Sequence, residues 1–194
     1  IVLRSEIEDP ERSLTRLSAV LENLNLHVGS IESYPSLHSI FEEIKPQECY
    51  HLAASSFVSY AFDEEFSVFN TNIGGTHNVL SALKNSSPGC RFYFAGSSEL
   101  FGNALSTPQN ENTPFNPRSA YGITKVTGYY LTVNYRQNYD IFACTGIAYN
   151  HESPRRGYEY VTRKITRGAA LIKSGKLDKL TLGNLDAIRD WGFA

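Results

Sequence analysis

Short apolar runs alternate with longer amphipathic stretches along nearly the whole chain of 194 residues. The apolar runs are typical of β-strands and cover residues 1–4, 25–29, 48–53, 91–96, 141–149 and 179–182. The amphipathic stretches repeat their apolar residues at helical spacing and cover residues 13–23, 35–44, 70–83, 120–137 and 162–174. Strands that are separated by helices pair in parallel, so the pattern predicts a doubly wound, Rossmann-like α/β fold. Such a sheet binds ligands beyond the carboxyl ends of its strands, where we expect the functional residues.

Composition excludes several classes of function. Hydrophobic residues make up 41% and charged residues 20% of the chain, which is globular composition. The formal net charge is -2, so we expect no nucleic-acid partner. No apolar run approaches the ~20 residues that span a bilayer, so we expect no membrane segment.

The three cysteines, Cys49, Cys90 and Cys144, lie far apart and form no metal-ligand spacing. We therefore expect no metal site and no disulfide framework. Buried free thiols suit a reducing compartment, which predicts a cytoplasmic protein.

The two ends of the sequence suggest a fragment. The chain contains no Met, opens directly on an apolar run and stops without a terminating element. Its first glycine is Gly29, and no GxGxxG motif occurs anywhere. A dinucleotide site needs a strand, a Gly-rich turn and a helix N-terminus to hold the pyrophosphate. We therefore expect a doubly wound domain that lacks its first strand and Gly-rich turn.

Four residues suggest acid/base chemistry. Tyr121 and Lys125 are four residues apart on a predicted helix and so share a face, where the lysine would favour the phenolate. Ser97 and Glu99 follow the run at 91–96, at a predicted strand end, and supply a hydroxyl and a second acid/base group. The alternatives are a chance Tyr–Lys spacing among 12 tyrosines, a capping serine and a solvated Glu99.

Three further stretches could hold an anionic ligand. The small residues of Leu52–Ser56 would let a ligand approach the backbone, or they form an ordinary turn. Arginines and a lysine between Asn150 and Lys164 suit a diphosphate, or they form a solvated basic surface. Arg189 could hold a second phosphate, or it pairs with a neighbouring aspartate on the surface.

These motifs together resemble the extended short-chain dehydrogenase/reductase family, and within it the GDP-mannose 4,6-dehydratases. The most specific parts of the resemblance are 97–102, 117–121, 150–157, 161–168 and 183–192. The resemblance implies NADP as cofactor and GDP-mannose as substrate. It also implies two regions: a partial NADP-binding domain over residues 1–150 and the start of a small sugar-nucleotide-binding portion over 151–194. For the full-length protein it implies a homo-oligomer.

The resemblance carries site residues over position by position. It implies a catalytic set of Ser97, Glu99, Tyr121 and Lys125, with Ser97 where the family usually has threonine. The implied cofactor contacts are Arg4, Ser30, Ile31, Leu52, Ala53, Ala54, Ser55, Ser56, Lys125, His151 and Arg156. Ser30 replaces a usual aspartate, and Leu3 replaces the partner of Arg4. Asn150, Lys164 and Arg189 are the implied substrate contacts.

The expected activity is sugar-nucleotide dehydration through internal hydride transfer. A 4-epimerase or reductase of the same family is the first alternative, because it needs Tyr121 and Lys125 but not Glu99 as a base at sugar C5. A non-catalytic nucleotide-binding fragment is the second alternative.

Overall fold

A computed structural model describes Val2–Leu3 and residues 14–55 and 65–194. The chain divides into two compact units, Ile1–Ala148 and Tyr149–Ala194. Within the part of the chain that the structure describes, every helix is too short or too polar to cross a membrane.

Parallel strands form the framework of the first unit. Its three-stranded sheet has the order β3 (Glu48–His51), β4 (Arg91–Ala95) and β5 (Ala143–Gly146). A separate parallel pair consists of β1 (Val2–Leu3) and β2 (His27–Val28). On β4, Phe92 pairs with Cys49 on one side and with Ala143 on the other. The all-parallel pairing confirms the predicted α/β class.

Three helices of the first unit pack on one core. They are α1 (Tyr34–Ile44), α3 (Gly75–Ser86) and α4 (Ala120–Tyr139). Burying an aliphatic or aromatic side chain there stabilises the fold by roughly 1.5–3 kcal/mol. The buried cluster includes Leu37, Ile40, Phe41, Val79, Leu80, Leu83, Phe92, Phe94, Tyr135 and Ile141.

Local capping fixes the ends of α1 and α4. The Ser33 hydroxyl accepts a hydrogen bond from the Ser36 N–H at 3.4 Å, and the Ser119 hydroxyl accepts one from the Gly122 N–H at 3.0 Å. Lys45 and Asp140 end the two helices in left-handed conformation, with φ of 47° and 53°. The start of α4 is thus set by its sequence, and with it the position of Tyr121.

A short helix leads into α3 through an unusual turn. Helix α2 spans Glu65–Phe69, and a π-helical segment, Asn70–Gly74, connects it to α3. Such widened turns are rare and occur often at functional sites. Here the turn carries a buried asparagine, Asn72.

The second unit is small and open. It contains β6 (Asn150–Glu152), α5 (Val161–Lys173) and β7 (Trp191–Phe193), with β6 and β7 parallel. Most of its apolar side chains are exposed, including Leu185, Ile188 and Phe193.

Some sequence-based expectations were wrong. Residues 179–182 form no strand; the pairing in this unit comes from β6 and β7 instead. The stretch predicted as a helix at 13–23 is a 3₁₀ helix, Thr15–Asn23, with no buried residue, so its apolar period finds no core. All three cysteines are free, but Cys144 is exposed rather than buried because it lies on the sheet face opposite the core.

Candidate active site

The turn after β4 fixes Ser97 and Glu99. Residues Ser98–Leu100 form one 3₁₀ turn, and the Ser97 hydroxyl accepts a hydrogen bond from the Glu99 N–H at 3.2 Å. Ser97 therefore caps this turn, as the alternative to a catalytic role predicted. Its O–H hydrogen remains available to donate to a ligand. Leu100 is fully buried and anchors the turn. Glu99 is half-buried and forms no ion pair with any described residue.

Close backbone contact joins this turn to α4. A Cβ atom at Gly122 would lie 2.8 Å from the Glu99 carbonyl oxygen and 3.1 Å from the Pro117 side chain. Only glycine allows that approach without a shift of the backbone. Because Gly122 follows Tyr121 directly, the contact brings the start of the tyrosine helix against the Glu99 turn.

Lys125 ties the same helix to the end of β4. Its Nζ donates to the Ala95 carbonyl oxygen at 2.7 Å and lies 4.9 Å from the centre of the Phe94 ring. The Tyr121 ring centre is 5.5 Å from the same nitrogen. Lys125 is 4% exposed, and burial lowers its pKa from 10.5 to about 8. The Lys125 ammonium therefore lies beside the Tyr121 ring.

Asn72 links the segment after β3 to the tyrosine helix, and no sequence signal pointed to it. Its side-chain oxygen accepts from the Ser55 N–H at 2.8 Å, and its amide donates to the Ser55 carbonyl at 3.1 Å. The same amide donates to the Thr124 hydroxyl at 3.1 Å, and Thr124 donates to the Tyr121 carbonyl at 2.7 Å. One buried side chain therefore connects Ser55 with the backbone of Tyr121.

His51 is a second site neighbour that the sequence did not reveal. It is buried at the end of β3, with Nε2 3.1 Å from the Thr76 hydroxyl. Thr76 donates to the Asn72 carbonyl at 2.6 Å, so the ring N–H donates to Thr76. Burial, and then the charge of Lys125, lowers the pKa of His51 to about 4, which keeps the ring neutral at pH 7.

The expected cofactor residues of the first unit lie in two places. Leu52, Ala53 and Ser55 are exposed after β3, and Ala54 is half-buried. After β2, the Ser30 hydroxyl accepts from the Glu32 N–H at 3.2 Å. The Ile31 side chain packs against Gly75 of α3, and the Ile31 backbone carbonyl accepts a hydrogen bond from the Asn78 amide at 2.9 Å. Arg4 and Ser56 lie outside the described residues.

The second unit holds the remaining expected residues. His151 is exposed, with Nδ1 2.9 Å from the Tyr149 carbonyl. Arg156 forms an ion pair with Glu152 at 3.3 Å. Asn150 is half-buried, and Lys164 is exposed on α5. Arg189 donates to the Ile188 carbonyl at 2.8 Å and pairs with no carboxylate of the described residues.

Several solved structures have a fold similar to that of this chain. An RMD structure from Pseudomonas aeruginosa complexed with NADPH matches with a TM-score of 0.80 and 22% identity, over 92% of this chain and 64% of that one. A dTDP-glucose 4,6-dehydratase, DesIV, from Streptomyces venezuelae with NAD and TYD bound matches with a TM-score of 0.79 and 20% identity, over 93% and 54%. At these identities the likeness concerns the fold alone.

The parallel sheet, with Ser97, Glu99 and the Tyr121–Lys125 helix at its carboxyl edge, places the chain in the doubly wound α/β class. Within that class, residues 5–194 match the GDP-mannose 4,6 dehydratase family model, and the chain belongs to this family.

Two members of this family match the chain with similar sequence identity and over similar lengths. The GDP-mannose 4,6 dehydratase of Drosophila melanogaster is 45% identical over 173 residues, which are 88% of this chain and 44% of the relative. That of Homo sapiens is 45% identical over 174 residues, which are 89% and 47%. The chain thus spans about half the length of these relatives.

Proposed function

We propose that this chain carries the acid/base centre of a sugar-nucleotide 4,6-dehydratase that converts GDP-mannose to GDP-4-keto-6-deoxymannose. The observation that carries the proposal is the turn with Ser97 and Glu99, which contacts the start of the Tyr121–Lys125 helix at Gly122. Membership of the GDP-mannose 4,6 dehydratase family supports the same substrate.

The residues fit a nicotinamide dinucleotide. The half-buried or exposed small side chains of Ala53 and Ala54 leave the backbone after β3 open to close approach. Lys125 would hold the nicotinamide ribose, and Arg156 would bind a phosphate. NADP, when bound, would accept a hydride from sugar C4 and return it to C6, so that no net oxidation occurs. The family resemblance implies NADP, and the similarly folded solved structures hold either NADPH or NAD.

Tyr121, Lys125 and Ser97 would act at C4 of the sugar. The Tyr121 phenolate takes the proton of the C4 hydroxyl as this carbon is oxidised. The Lys125 ammonium stabilises that phenolate, and at pH 7 it is mostly charged, since its pKa is about 8. Ser97 donates its free O–H hydrogen to the same sugar oxygen and polarises the new carbonyl.

Glu99 would act one carbon further along. The C4 ketone acidifies the C5–H bond, and Glu99 would take that proton and pass it to the departing C6 hydroxyl, which leaves as water. The proton that Tyr121 took from the C4 hydroxyl would then go to C5, so that protons balance when C6 receives its hydride. Glu99 has no ion-pair partner among the described residues, so its carboxylate is free for this step. In the second unit, Asn150, Lys164 and Arg189 would hold the nucleotide diphosphate.

Product analysis tests the proposal. Incubation with GDP-mannose and NADP should give a product lighter by one water, and Glu99→Gln should lower its rate by about a hundredfold or more. Glu111→Gln is the matched control, because Glu111 is an exposed carboxylate on the connection before α4. Near-normal turnover by Glu99→Gln would contradict the base assignment.

The same experiment separates the other readings. A product of unchanged mass indicates an epimerase, and consumption of NADPH in a parallel incubation that contains it indicates a reductase. Cofactor binding without any product indicates the non-catalytic nucleotide-binding alternative. A homo-oligomer and a cytoplasmic location stay predictions, which sedimentation and cell fractionation can check.

A further inference from the structure

Arg156 is fixed by contacts with three neighbouring residues of the second unit. It lies in the turn after β6, where its N–H donates to the Ser153 carbonyl at 3.0 Å. Its guanidinium carbon is 3.6 Å from the centre of the Tyr160 ring, and its Nε is 3.3 Å from Glu152 Oε2. An aromatic ring thus covers one face of the guanidinium, and a carboxylate lies beside its inner nitrogen.

Glu152 is itself fixed from two further elements. The Thr162 hydroxyl, at the start of α5, donates to Glu152 Oε2 at 2.5 Å. The backbone of Glu152 belongs to β6, and its carbonyl accepts from the Ala194 N–H at 3.0 Å after β7. The Glu152 side chain is 16% exposed and that of Arg156 25%. Partial burial strengthens the attraction between the two charges relative to bulk water.

One edge of the Arg156 guanidinium forms no hydrogen bond with the described residues. Nε is shielded from solvent and makes no aligned hydrogen bond, so its contact with Glu152 is electrostatic. The two terminal nitrogens have no acceptor among the described residues. A guanidinium presents these N–H groups as a planar fork that matches two phosphate oxygens.

We propose that Glu152 is a positioning residue for Arg156, which it holds so that the terminal nitrogens meet a phosphate of the cofactor. The inference rests on the proposed function, in which Arg156 contacts NADP. A pre-oriented arginine loses less side-chain freedom on binding than a free one. The carboxylate also repels the phosphate, so the sign of its effect on affinity distinguishes positioning from simple charge compensation.

A double-mutant cycle with NADPH, followed by fluorescence, tests that sign. Glu152→Gln and Arg156→Gln should each weaken binding about tenfold, and the double variant should be no weaker than Arg156→Gln. Glu159→Gln and Arg167→Gln are matched controls, because both are exposed residues of the same unit and lie outside this ion pair. Tighter or unchanged binding by Glu152→Gln overturns the inference. So does unchanged binding by Arg156→Gln, and a normal dehydration product would then leave the proposed function intact.

A measurement without cofactor keeps the inference testable by itself. Arg156 Nε is shielded, so its hydrogen should give a slowly exchanging signal in a ¹H–¹⁵N spectrum, assigned by its loss in Arg156→Gln. Glu152→Gln should remove the signal, and Glu159→Gln should keep it. If the Arg156 Nε signal persists in Glu152→Gln, Glu152 does not hold the guanidinium. Failure of the wild-type chain to bind NADPH or to dehydrate GDP-mannose would instead count against the proposed function.

Discussion

Lys125 is a buried, positively charged side chain, so its effect on the free energy of unfolding should depend on pH. Its pKa falls from 10.5 in an exposed lysine to about 8 in the folded chain. Between these values the unfolded chain binds more protons than the folded one, so the free energy of unfolding rises with pH across that window. We expect the wild type to gain up to roughly 3 kcal/mol relative to Lys125→Met between pH 8 and 10.5.

Urea unfolding of both proteins at several pH values measures this difference. Lys173→Met, which removes an exposed lysine at the end of α5, controls for the loss of a surface charge. A wild-type advantage that shrinks as the pH rises would show that the buried ammonium is not penalised.

Asn72 allows a prediction about a buried polar link. Asn72→Ala leaves the buried Thr124 hydroxyl without this donor, and a buried group that loses its partner costs about 1–3 kcal/mol. The N–H and carbonyl of Ser55 also lose their partner, but Ser55 is exposed and water can replace it, so we expect a loss of about 1–3 kcal/mol in the free energy of unfolding. Asn85→Ala, whose exposed amide donates to Tyr34, should lose much less. Equal losses from the two variants would mean that the buried link adds no stability.

At the scale of the elements, Gly128 sets how closely α4 lies against β4. A Cβ atom at this position would overlap the Phe94 ring, which is itself 2% exposed. We expect Gly128→Ala to cost about 1–3 kcal/mol through overpacking, although alanine favours helices. Gly89→Ala is the control, since nothing lies within 4 Å of a Cβ atom there. Thermal unfolding compares the two, and a more stable Gly128→Ala would contradict this packing.

The elements that the sequence predicted well are those with long apolar periods. Helices α1, α3 and α4 repeat their core residues over 11 to 20 positions, which local pattern alone makes visible. Strands β6 and β7 have three residues each and pair across about 40 positions, so no local period marks them. The 179–182 prediction failed for a related reason, because a short apolar run does not say whether a strand partner exists.

The same limit applies to the candidate site. Motif spacing suggested Ser97, Glu99, Tyr121 and Lys125 because they follow a strand end or share a helix face. Asn72 and His51 act through partners that folding brings to them, such as Thr124 for Asn72 at a separation of 52 residues. Hydrogen bonds of that range leave no trace in local spacing.

For the whole molecule, the two units differ in charge and in burial. The first unit has nine basic and fifteen acidic residues, whereas the second has nine basic and five acidic. The first unit holds the buried cluster around β4, and the second leaves most of its apolar side chains exposed. The free energy of local opening increases with the number of buried contacts in a segment. Backbone amides of β3–β5 should therefore exchange slowly with solvent, and those of residues 149–194 quickly.

Each ligand should then change hydrogen exchange around its own proposed contacts. GDP is anionic, and the second unit carries the basic excess together with Asn150, Lys164 and Arg189. A ligand that binds only the folded form stabilises it in proportion to the logarithm of its concentration over Kd. GDP should therefore slow exchange in α5 and around Arg189, while NADP should slow it around residues 52–55 and around Arg156. Hydrogen exchange read out by mass spectrometry distinguishes these regions, and protection of β3–β5 alone by GDP would contradict the assignment of the nucleotide diphosphate to the second unit.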